Sequence, residues 1–461
     1  MNRLPIMLNN RKRFVFLAAI AAVLVLLSGG ANALAIVGYT VRCVPSHTIN
    51  ANCTATDYPT IQAAVTAAVS GDIVLVAAGY YNESVVIDET GHSRDHLSLL
   101  GAQAGNDARV GRHDPSKESI VDGTGTGNST IIVEAEFVVV DGFTAQGGTQ
   151  GNATGIDLKG AYPASPPYTT SPGHYGVVVN NILTNNCTGV SLNSEGSGSD
   201  GMGGAILLYP HVEHNLFVTN NGINGGPPGC GPGNGVYTTG VLGAVITENA
   251  FCENKTSALG MNYAELSTIA NNTSEKDASF VHFTNSIGVT FSNNQGKDFA
   301  AKGILGDVTW SGDGAISIGP NNVLLEISDN SLEEGTEPVI NGIAFTTVWG
   351  AGLNEGIYVK NNEIERFPGN GITAETGMLT DSFILGNQVD DNGADGIGIA
   401  VDNGTISLFD NEAEGNAVYD CEDATAGAGT LGTADTWFNN AGKLSSPAGL
   451  CTSEKVHHHH H

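Results

Sequence analysis

GITAETGMLTDSFILGNQVDDN (residues 371–392) and GADGIGIAVDNGTISLFDNEAEGN (residues 393–416) are two consecutive copies of one pattern. Each copy holds a glycine followed by alternating apolar residues, then a turn, a second short strand and two asparagines five positions apart. The first asparagines of the two pairs, Asn387 and Asn411, are 24 residues apart. Two strands in roughly 20–25 residues, with no helical period between them, predict a coil that stacks on copies of itself.

The same pattern can be followed through most of the 461 residues, so a solenoid is favoured over several separate domains. The aligned strands begin at residues 155, 189, 235, 258, 279, 303, 342, 371, 396 and 417. Short spacings between these starts correspond to one coil, and long spacings mark inserted loops. The insertions are residues 160–173, 194–204, 222–234, 307–314 and 333–354. Loops that project from neighbouring coils would wall off a groove, where function is expected.

Paired asparagines mark the corners of the coils. The pairs are Asn181/Asn186, Asn215/Asn220, Asn249/Asn254, Asn387/Asn392 and Asn411/Asn416. Asparagine tolerates left-handed backbone, and its amide can hydrogen-bond to the same residue one coil further on. The pattern therefore predicts asparagine ladders with a structural role.

The two ends of the repeat have different sequences. Residues 58–69 predict an amphipathic helix that Thr60 can cap and that would cover the first coil. Residues 417–451 lose the repeat, and Trp437 and Phe438 in this segment suit a cap over the last coil.

Residues 1–35 have the features of a secretory signal peptide, with a basic start, the apolar run 14–27 and small residues after it. An uncleaved membrane anchor is the alternative, but 14 residues are short for a membrane span. The expected location is extracellular, with no membrane contact after cleavage. The histidines at 457–461 are interpreted as a purification tag.

The chain is strongly acidic. It has 18 basic and 47 acidic residues, and removing residues 1–35, with four basic residues and no acid, leaves a formal charge of −33. Such a surface repels nucleic acid and anionic membranes. It would attract divalent cations such as Ca²⁺, held by turn carboxylates and asparagine carbonyls, or simply keep a secreted protein soluble.

All seven cysteines lie after residue 35, in an expected oxidising compartment. Proximity in the sequence favours disulfides between neighbouring cysteines and leaves Cys187 unpaired, although spacing alone does not fix the connectivity. The favoured pairs are Cys43–Cys53, Cys230–Cys252 and Cys421–Cys451.

The chain resembles the right-handed parallel β-helix proteins of the pectin-lyase-like superfamily. The resemblance lies in YPTIQAAVTAAVSGDIVLVAAGYYNESVVI (residues 58–87), in the asparagine-cornered coils and in the closing segment. It implies an all-β solenoid with an N-terminal capping helix and a C-terminal cap closed by a disulfide. The expected divisions are 1–35 signal peptide, 36–57 lead-in with a disulfide, 58–420 β-helix, 421–456 cap and 457–461 tag.

Polar residues in the glycine-led strands are the first candidate site. If Ile and Leu point inward, the intervening side chains point outward beside the inserted loops. At residues 279–283 the register is ambiguous, and His282 points outward only if Val281 and Phe283 point inward. Asp157, Lys159, Tyr237, Asn262 and His282 would then suit proton abstraction from a sugar ring, with Tyr or His as acid and base and Asn or Lys neutralising a substrate carboxylate. The alternative is a solvated polar sheet face.

Two further clusters of polar residues have both a functional interpretation and a plain surface interpretation. His211, Glu213 and His214 could hold a divalent metal, but a strand would place His214 on the opposite face, so a surface strand end is favoured. Lys297 and Lys302 could bind an anionic sugar, and exposed turn charges are the alternative.

Sequence features typical of the known enzymes of this superfamily are missing. No arginine occurs between Arg112 and Arg366, whereas pectate lyases of this fold use arginine as the base. The motifs of polygalacturonases and alginate epimerases are also absent. The sequence therefore favours a secreted protein that binds extracellular polysaccharide, with Trp310 and Trp349 stacking on sugars. The alternative is a divergent polysaccharide lyase, C5-epimerase or glycoside hydrolase with its groove on the outer sheet face.

Overall fold

The computed structural model describes residues 39–44, 58–89, 91, 93–150, 153–160, 175–194, 206–220, 233–299, 314–334 and 341–453. The elements below belong to the unit Thr40–His461. Several sequence predictions fall outside the described residues, namely the signal peptide, the tag, Cys53, Cys230, Lys302 and Trp310.

Three long parallel sheets, called A, B and C in the order in which each coil visits them, make up the fold. Every strand pairs with the equivalent strands of the preceding and following coils, and the apolar side chains between the sheets form one continuous core. The expected right-handed parallel β-helix is confirmed.

Sheet A contains Val41–Val44, Ile73–Val76, Ser98–Leu100, Val139–Asp141, Val177–Val179, His211–Glu213, Val245–Thr247, Thr268–Ala270, Thr290–Ser292, Glu326–Ser328, Tyr358–Lys360, Ser382–Leu385, Ile406–Phe409 and Thr436–Phe438. Sheet B contains Gly79–Asn82, Ser119–Asp122, Phe143–Gln146, Ile182–Thr184, Leu216–Val218, Ala250–Cys252, Thr273–Glu275, Gln295–Lys297, Ser331–Glu333, Glu363–Glu365, Gln388–Asp390 and Glu412–Glu414.

Sheet C contains Val85–Ile87, Ile131–Val133, Thr154–Gly160, Thr188–Ser194, Asn234–Leu242, Ser257–Glu265, Val281–Thr284, Gly314–Ile318, Asn341–Phe345, Ile372–Ala374, Ile397–Ile399, Cys421–Asp423 and Ser445–Ser446. Leu207–Leu208 pairs with Asn234–Leu242, and Asn354–Glu355 pairs with Leu379–Thr380. Short 3₁₀ turns occur at Pro115–Lys117 and Thr430–Gly432.

The predicted N-terminal helix spans Ile61–Ala67. Thr60 caps it by accepting a hydrogen bond from Ala63 N, 3.1 Å from the threonine hydroxyl oxygen. Ile61, Ala64 and Val65 are fully buried and pack onto the first coil. The helix therefore covers apolar side chains that would otherwise meet water at the end of the solenoid. No described helix has the length and apolarity needed to cross a membrane.

One predicted strand start was misplaced. The strand expected at 417 is Cys421–Asp423, because Cys421 pairs with Ile397 of the preceding coil. The strand expected at 303 lies outside the described residues. Gly314–Ile318 is a sheet C strand, and Ile316 aligns with Val281 and with Ile343.

The predicted asparagine ladder is confirmed. Ten buried asparagines follow one corner of the solenoid. The side-chain oxygen of the first, Asn181, accepts from Phe143 N, and each later oxygen accepts from the backbone N–H and the side-chain amide of the asparagine one coil earlier. The ten asparagines are Asn181, Asn215, Asn249, Asn272, Asn294, Asn330, Asn362, Asn387, Asn411 and Asn440. Their amides also donate to strand carbonyls, so the ladder satisfies buried backbone groups at each turn.

The C-terminal cap is closed by the predicted Cys421–Cys451 disulfide. Trp437 is buried beneath it and donates to Asp423 Oδ2 at 2.8 Å, whereas Phe438 points outward and is exposed.

The other cysteine predictions need correction. Cys252 is a free thiol at the end of a sheet B strand, so the predicted Cys230–Cys252 bond is wrong. Cys43 and Cys187 are both disulfide-bonded, to partners outside the described residues, so Cys187 is not the unpaired cysteine. In a solenoid, residues one coil apart in sequence are neighbours in space, and proximity in sequence is therefore a poor guide to pairing.

Candidate functional site

The outward side chains of sheet C form two neighbouring columns. The first runs through Asp157, Ser191, Tyr237, Gly260, His282 and Ser317, and the second through Lys159, Asn193, Thr239, Asn262 and Thr284. Val281 and Phe283 are buried in the core, so His282 between them points outward. The register thus places all five predicted catalytic residues on one face.

Gly260 brings Tyr237 and His282 together although they lie two coils apart. A methyl group at Gly260 would lie 2.7 Å from Tyr237 Cδ2 and 2.8 Å from His282 Cε1. Both rings therefore lean over the bare backbone of the intervening coil, and only glycine leaves room for them. The sequence pattern did not reveal this feature of Gly260, because it becomes visible only once the register of the neighbouring strands is known.

The hydrogen bonds around His282 indicate which of its two ring nitrogens carries the proton. Ser257 donates its hydroxyl proton to Asn234 Oδ1 at 2.6 Å. His282 Nδ1 lies 3.3 Å from the same hydroxyl oxygen, so Nδ1 carries the proton of that hydrogen bond. Part of the His282 side chain is exposed, but the surrounding protein atoms desolvate the ring and lower the pKa of His282 to about 4, so the ring is neutral at pH 7 with Nε2 as an acceptor.

Trp349 packs against His282, with 5.2 Å between the ring centroids. Its ring also covers Gly319, where a methyl group would lie 2.9 Å from Trp349 Cε3. The loop that carries Trp349 is held by Glu375, which accepts from Thr347 N and from the Thr347 hydroxyl, both at 2.7 Å. The predicted sugar-stacking Trp349 therefore lies beside the outward face, in a defined position.

Asn262 supplies a polar group next to the aromatic rings. Its Oδ1 accepts from the Thr284 hydroxyl at 2.9 Å, which leaves the side-chain NH₂ pointing away from that bond. Its backbone N–H donates to the Thr238 hydroxyl at 3.1 Å. We call the cluster of half-exposed side chains the sheet C recess. Its members are Asn193, Tyr237, Thr239, Asn262, His282, Thr284 and Trp349.

Asp157 and Lys159 share the face but lie outside the sheet C recess. Four coil steps separate Asp157 from His282, about 19 Å at the usual strand spacing. Lys159 Nζ lies 3.5 Å from Glu134, another outward side chain at that end. Neither residue can act on the same sugar unit as His282.

Lys297 belongs to a different surface. It ends the strand Gln295–Lys297 of sheet B, and its Nζ lies 3.6 Å from Glu275. The turn-charge interpretation fits this position better than a role beside the sheet C recess. Lys302 and Trp310, the other predicted sugar-binding residues, lie outside the described residues.

The histidine cluster at 211–214 forms two separate pairs. His211 Nδ1 lies 3.2 Å from Glu213, and His214 Nε2 lies 3.0 Å from Glu248. Within the described part of the chain, no group of three or more His, Cys, Asp or Glu side chains is arranged to hold a metal ion.

Comparison with known proteins finds similarity of fold only. No protein-family model and no curated protein sequence matches the chain. Among solved structures, a mannuronan C-5 epimerase module from Azotobacter vinelandii is 14% identical, with 84% of this chain and 89% of that chain covered and a TM-score of 0.42. A mannuronic-acid-specific polysaccharide lyase from human gut microbiota is 11% identical, with 82% and 76% covered and a TM-score of 0.46.

An alpha-1,3-glucanase from Streptomyces thermodiastaticus is 11% identical, with 83% of this chain and 65% of that chain covered and a TM-score of 0.42. At these identities and TM-scores the activities of the matched proteins do not carry over to this chain. The function of the sheet C recess is therefore inferred from its own side chains.

Proposed function

We propose that this protein binds extracellular polysaccharide in the sheet C recess. The observation that carries the proposal is the arrangement of Tyr237, His282 and Trp349 around Gly260, with amide and hydroxyl groups beside them. A sugar presents an apolar ring face and a rim of hydroxyl groups. Aromatic side chains match the first, and neutral hydrogen-bonding groups match the second.

The structure around the recess favours binding without turnover. Asp157 lies about 19 Å from His282, so its carboxylate cannot reach a sugar that contacts His282. A glycoside hydrolase needs two carboxyl groups on either side of the bond that it cleaves. The described outward positions beside His282 hold Ser, Thr, Asn and Tyr instead.

Secretion belongs to the same proposal. Disulfides form and persist outside the cytosol, and the described chain contains the Cys421–Cys451 bond and two further disulfide-bonded cysteines. With the signal-like residues 1–35, this supports a protein that meets polysaccharide outside the cell.

Binding can be tested by affinity electrophoresis in gels that contain single polysaccharides, run in parallel with assays for new reducing ends and for unsaturated uronate. We expect at least one polysaccharide to slow the migration of the protein without product formation. We expect His282→Ala to migrate as if no polysaccharide were present. His113→Ala, at an exposed position between the strands Ser98–Leu100 and Ser119–Asp122, is the matched control. Retardation that is unchanged in His282→Ala, or product formation, would contradict the proposal.

Acid–base turnover is the second candidate, and one observation favours it. The Ser257 hydrogen bond leaves Nε2 of the neutral His282 as a proton acceptor, and the Tyr237 ring lies beside it. Together they could serve as base and acid in a lyase or epimerase reaction. This candidate predicts that product forms and that Tyr237→Phe abolishes it while polysaccharide binding persists. Product formation that survives both Tyr237→Phe and His282→Ala would exclude this site.

A further inference from the structure

The charge distribution on sheet C bears on which polysaccharide the sheet C recess accepts. The six strands from Thr188–Ser194 to Asn341–Phe345 contain no lysine and no arginine, and Glu265 is their only carboxylate. His282 adds no positive charge, because burial lowers its pKa to about 4. The outward groups that a sugar would meet here are uncharged.

Carboxylates lie at both ends of this uncharged stretch. Asp157 and Glu134 lie at the N-terminal end of the two outward columns, where Lys159, 3.5 Å from Glu134, balances one of the two negative charges. Glu375 lies at the C-terminal end, and beyond it Asp395 and Glu422 lie so close together that burial and Asp395 raise the pKa of Glu422. A polymer that runs along the face would pass these acidic groups.

We propose that the sheet C recess is specific for a neutral polysaccharide and rejects polyuronates. This rests on the proposed function and narrows it to one chemical class. A uronate carboxylate in the recess would lose water and find no cationic partner on the strands, which is the unfavourable case for a charge near a protein surface. Along the polymer, further carboxylates would meet the acidic ends of the face and be repelled.

Lys159 lies one coil from Asn193 but is paired with Glu134, so Lys255 is the described basic residue that could most directly oppose this inference. It lies two residues before Ser257, on the turn that enters sheet C, and follows Glu253 closely in the chain. If the recess accepted uronates, Lys255 would be the group to neutralise their carboxylates. The specificity test is therefore built around this residue.

The specificity of the recess also limits the second candidate function. Elimination and C5 epimerisation both remove the proton next to a uronate carboxylate, which makes that proton acidic. A neutral sugar lacks this carboxylate, so a neutral-specific recess is incompatible with either reaction. Polysaccharide binding is compatible with a neutral sugar, because the described side chains of the sheet C recess supply the aromatic rings and hydrogen-bonding groups that binding needs.

The test measures affinities for neutral polymers (glucan, xylan, mannan, galactan) and for polyuronates (polygalacturonate, alginate) at about 0.02 M and about 0.15 M salt, with wild type and Lys255→Gln. Screening at the higher salt shortens the reach of charges to about 8 Å. We expect a neutral polymer to bind about tenfold or more tightly than either polyuronate. Its affinity should change less than about twofold with salt and in Lys255→Gln.

Each remaining outcome is decisive. Polyuronate binding that equals or exceeds neutral binding, and falls in Lys255→Gln, would overturn the specificity and leave polysaccharide binding standing. Failure to bind any polymer of either class would overturn both the specificity and the proposed function.

Discussion

Gly260 controls how closely the aromatic side chains of the sheet C recess can approach one another. The alternation of the strands predicted that Tyr237 points outward, whereas for His282 it left two registers open, and the buried Val281 and Phe283 decide for the outward one. The approach of both rings to the same glycine from the coils on either side was not predictable, because it depends on which residues of three separate strands align. Ser257 and Glu375 were missed for the same reason, since each acts through a neighbouring coil.

Gly260→Ala should disturb the recess by overpacking. The added methyl group meets ring atoms at 2.7 and 2.8 Å, so Tyr237 or His282 must move. We expect the free energy of unfolding to fall by about 1–3 kcal/mol and polysaccharide affinity to fall about tenfold or more. Urea denaturation and a binding titration measure the two effects.

Gly398→Ala is the matched control for this substitution. Gly398 lies in the same outward column, and a methyl group there meets nothing closer than Asp395 Oδ2 at 3.5 Å. The free energy of unfolding of Gly398→Ala should stay within about 0.5 kcal/mol of the wild-type value. Equal losses of unfolding free energy and of affinity in the two variants would show that the close approach of Tyr237 and His282 to Gly260 does not determine stability or binding.

At the scale of secondary structure, the coil corners determine how the strands stack. The asparagine pairs predicted the ladder because an amide in left-handed or turn backbone can bond to the next coil. Sequence periodicity failed at residue 417, because the strand of that coil is Cys421–Asp423. Pairing across coils is long-range information, and a single repeat does not contain it.

Asn294→Ala should remove one rung of the ladder. Asn294 Oδ1 accepts from Asn272 N at 3.0 Å, and its Nδ2 donates to Ile269 O and to Asn330. Leaving these buried groups unpaired should lower the free energy of unfolding by about 1–3 kcal/mol, measured by urea denaturation. The adjacent exposed Gln295→Ala serves as control and should change it by less than about 0.5 kcal/mol. Similar values for the two variants would contradict a stabilising ladder.

At the scale of the whole molecule, the two ends close a core that would otherwise be open. The helix Ile61–Ala67 seals one end, and the disulfide cap with buried Trp437 seals the other. The amphipathic spacing of residues 58–69 predicted the first cap, and the loss of the repeat in residues 417–451 predicted the second. They could not predict that the second cap buries two carboxyl groups, Asp423 and Asp435, side by side.

The buried carboxyl pair makes stability depend on pH. Burial raises the pKa of Asp435 to about 7, whereas an unfolded aspartate titrates near about 3.9. Between these values the folded state holds a proton that the unfolded state has lost. The stability from this group is therefore full below about pH 4 and decreases as the pH rises to about 7.

Asp435→Asn should flatten that dependence. The amide introduced by this substitution would keep an acceptor for Ile406 N, which lies 2.7 Å from Oδ1 in the native protein, and would offer Asp423 a donor at every pH. Melting temperatures between about pH 5 and pH 8 should then vary less than in wild type, with Asp114→Asn, at an exposed position, as control. An unchanged slope would show that the pair is not responsible.

Binding of a neutral polysaccharide to the sheet C recess is measured most directly by calorimetric titration of wild type, Trp349→Ala and Tyr358→Ala. Both aromatic rings are partly exposed, but Tyr358 stacks on Phe383 on sheet A, away from the recess. We expect Trp349→Ala to weaken binding about tenfold or more, and Tyr358→Ala to remain within about twofold of wild type. Loss of affinity in Tyr358→Ala with none in Trp349→Ala would place the sugar on another face and contradict this account.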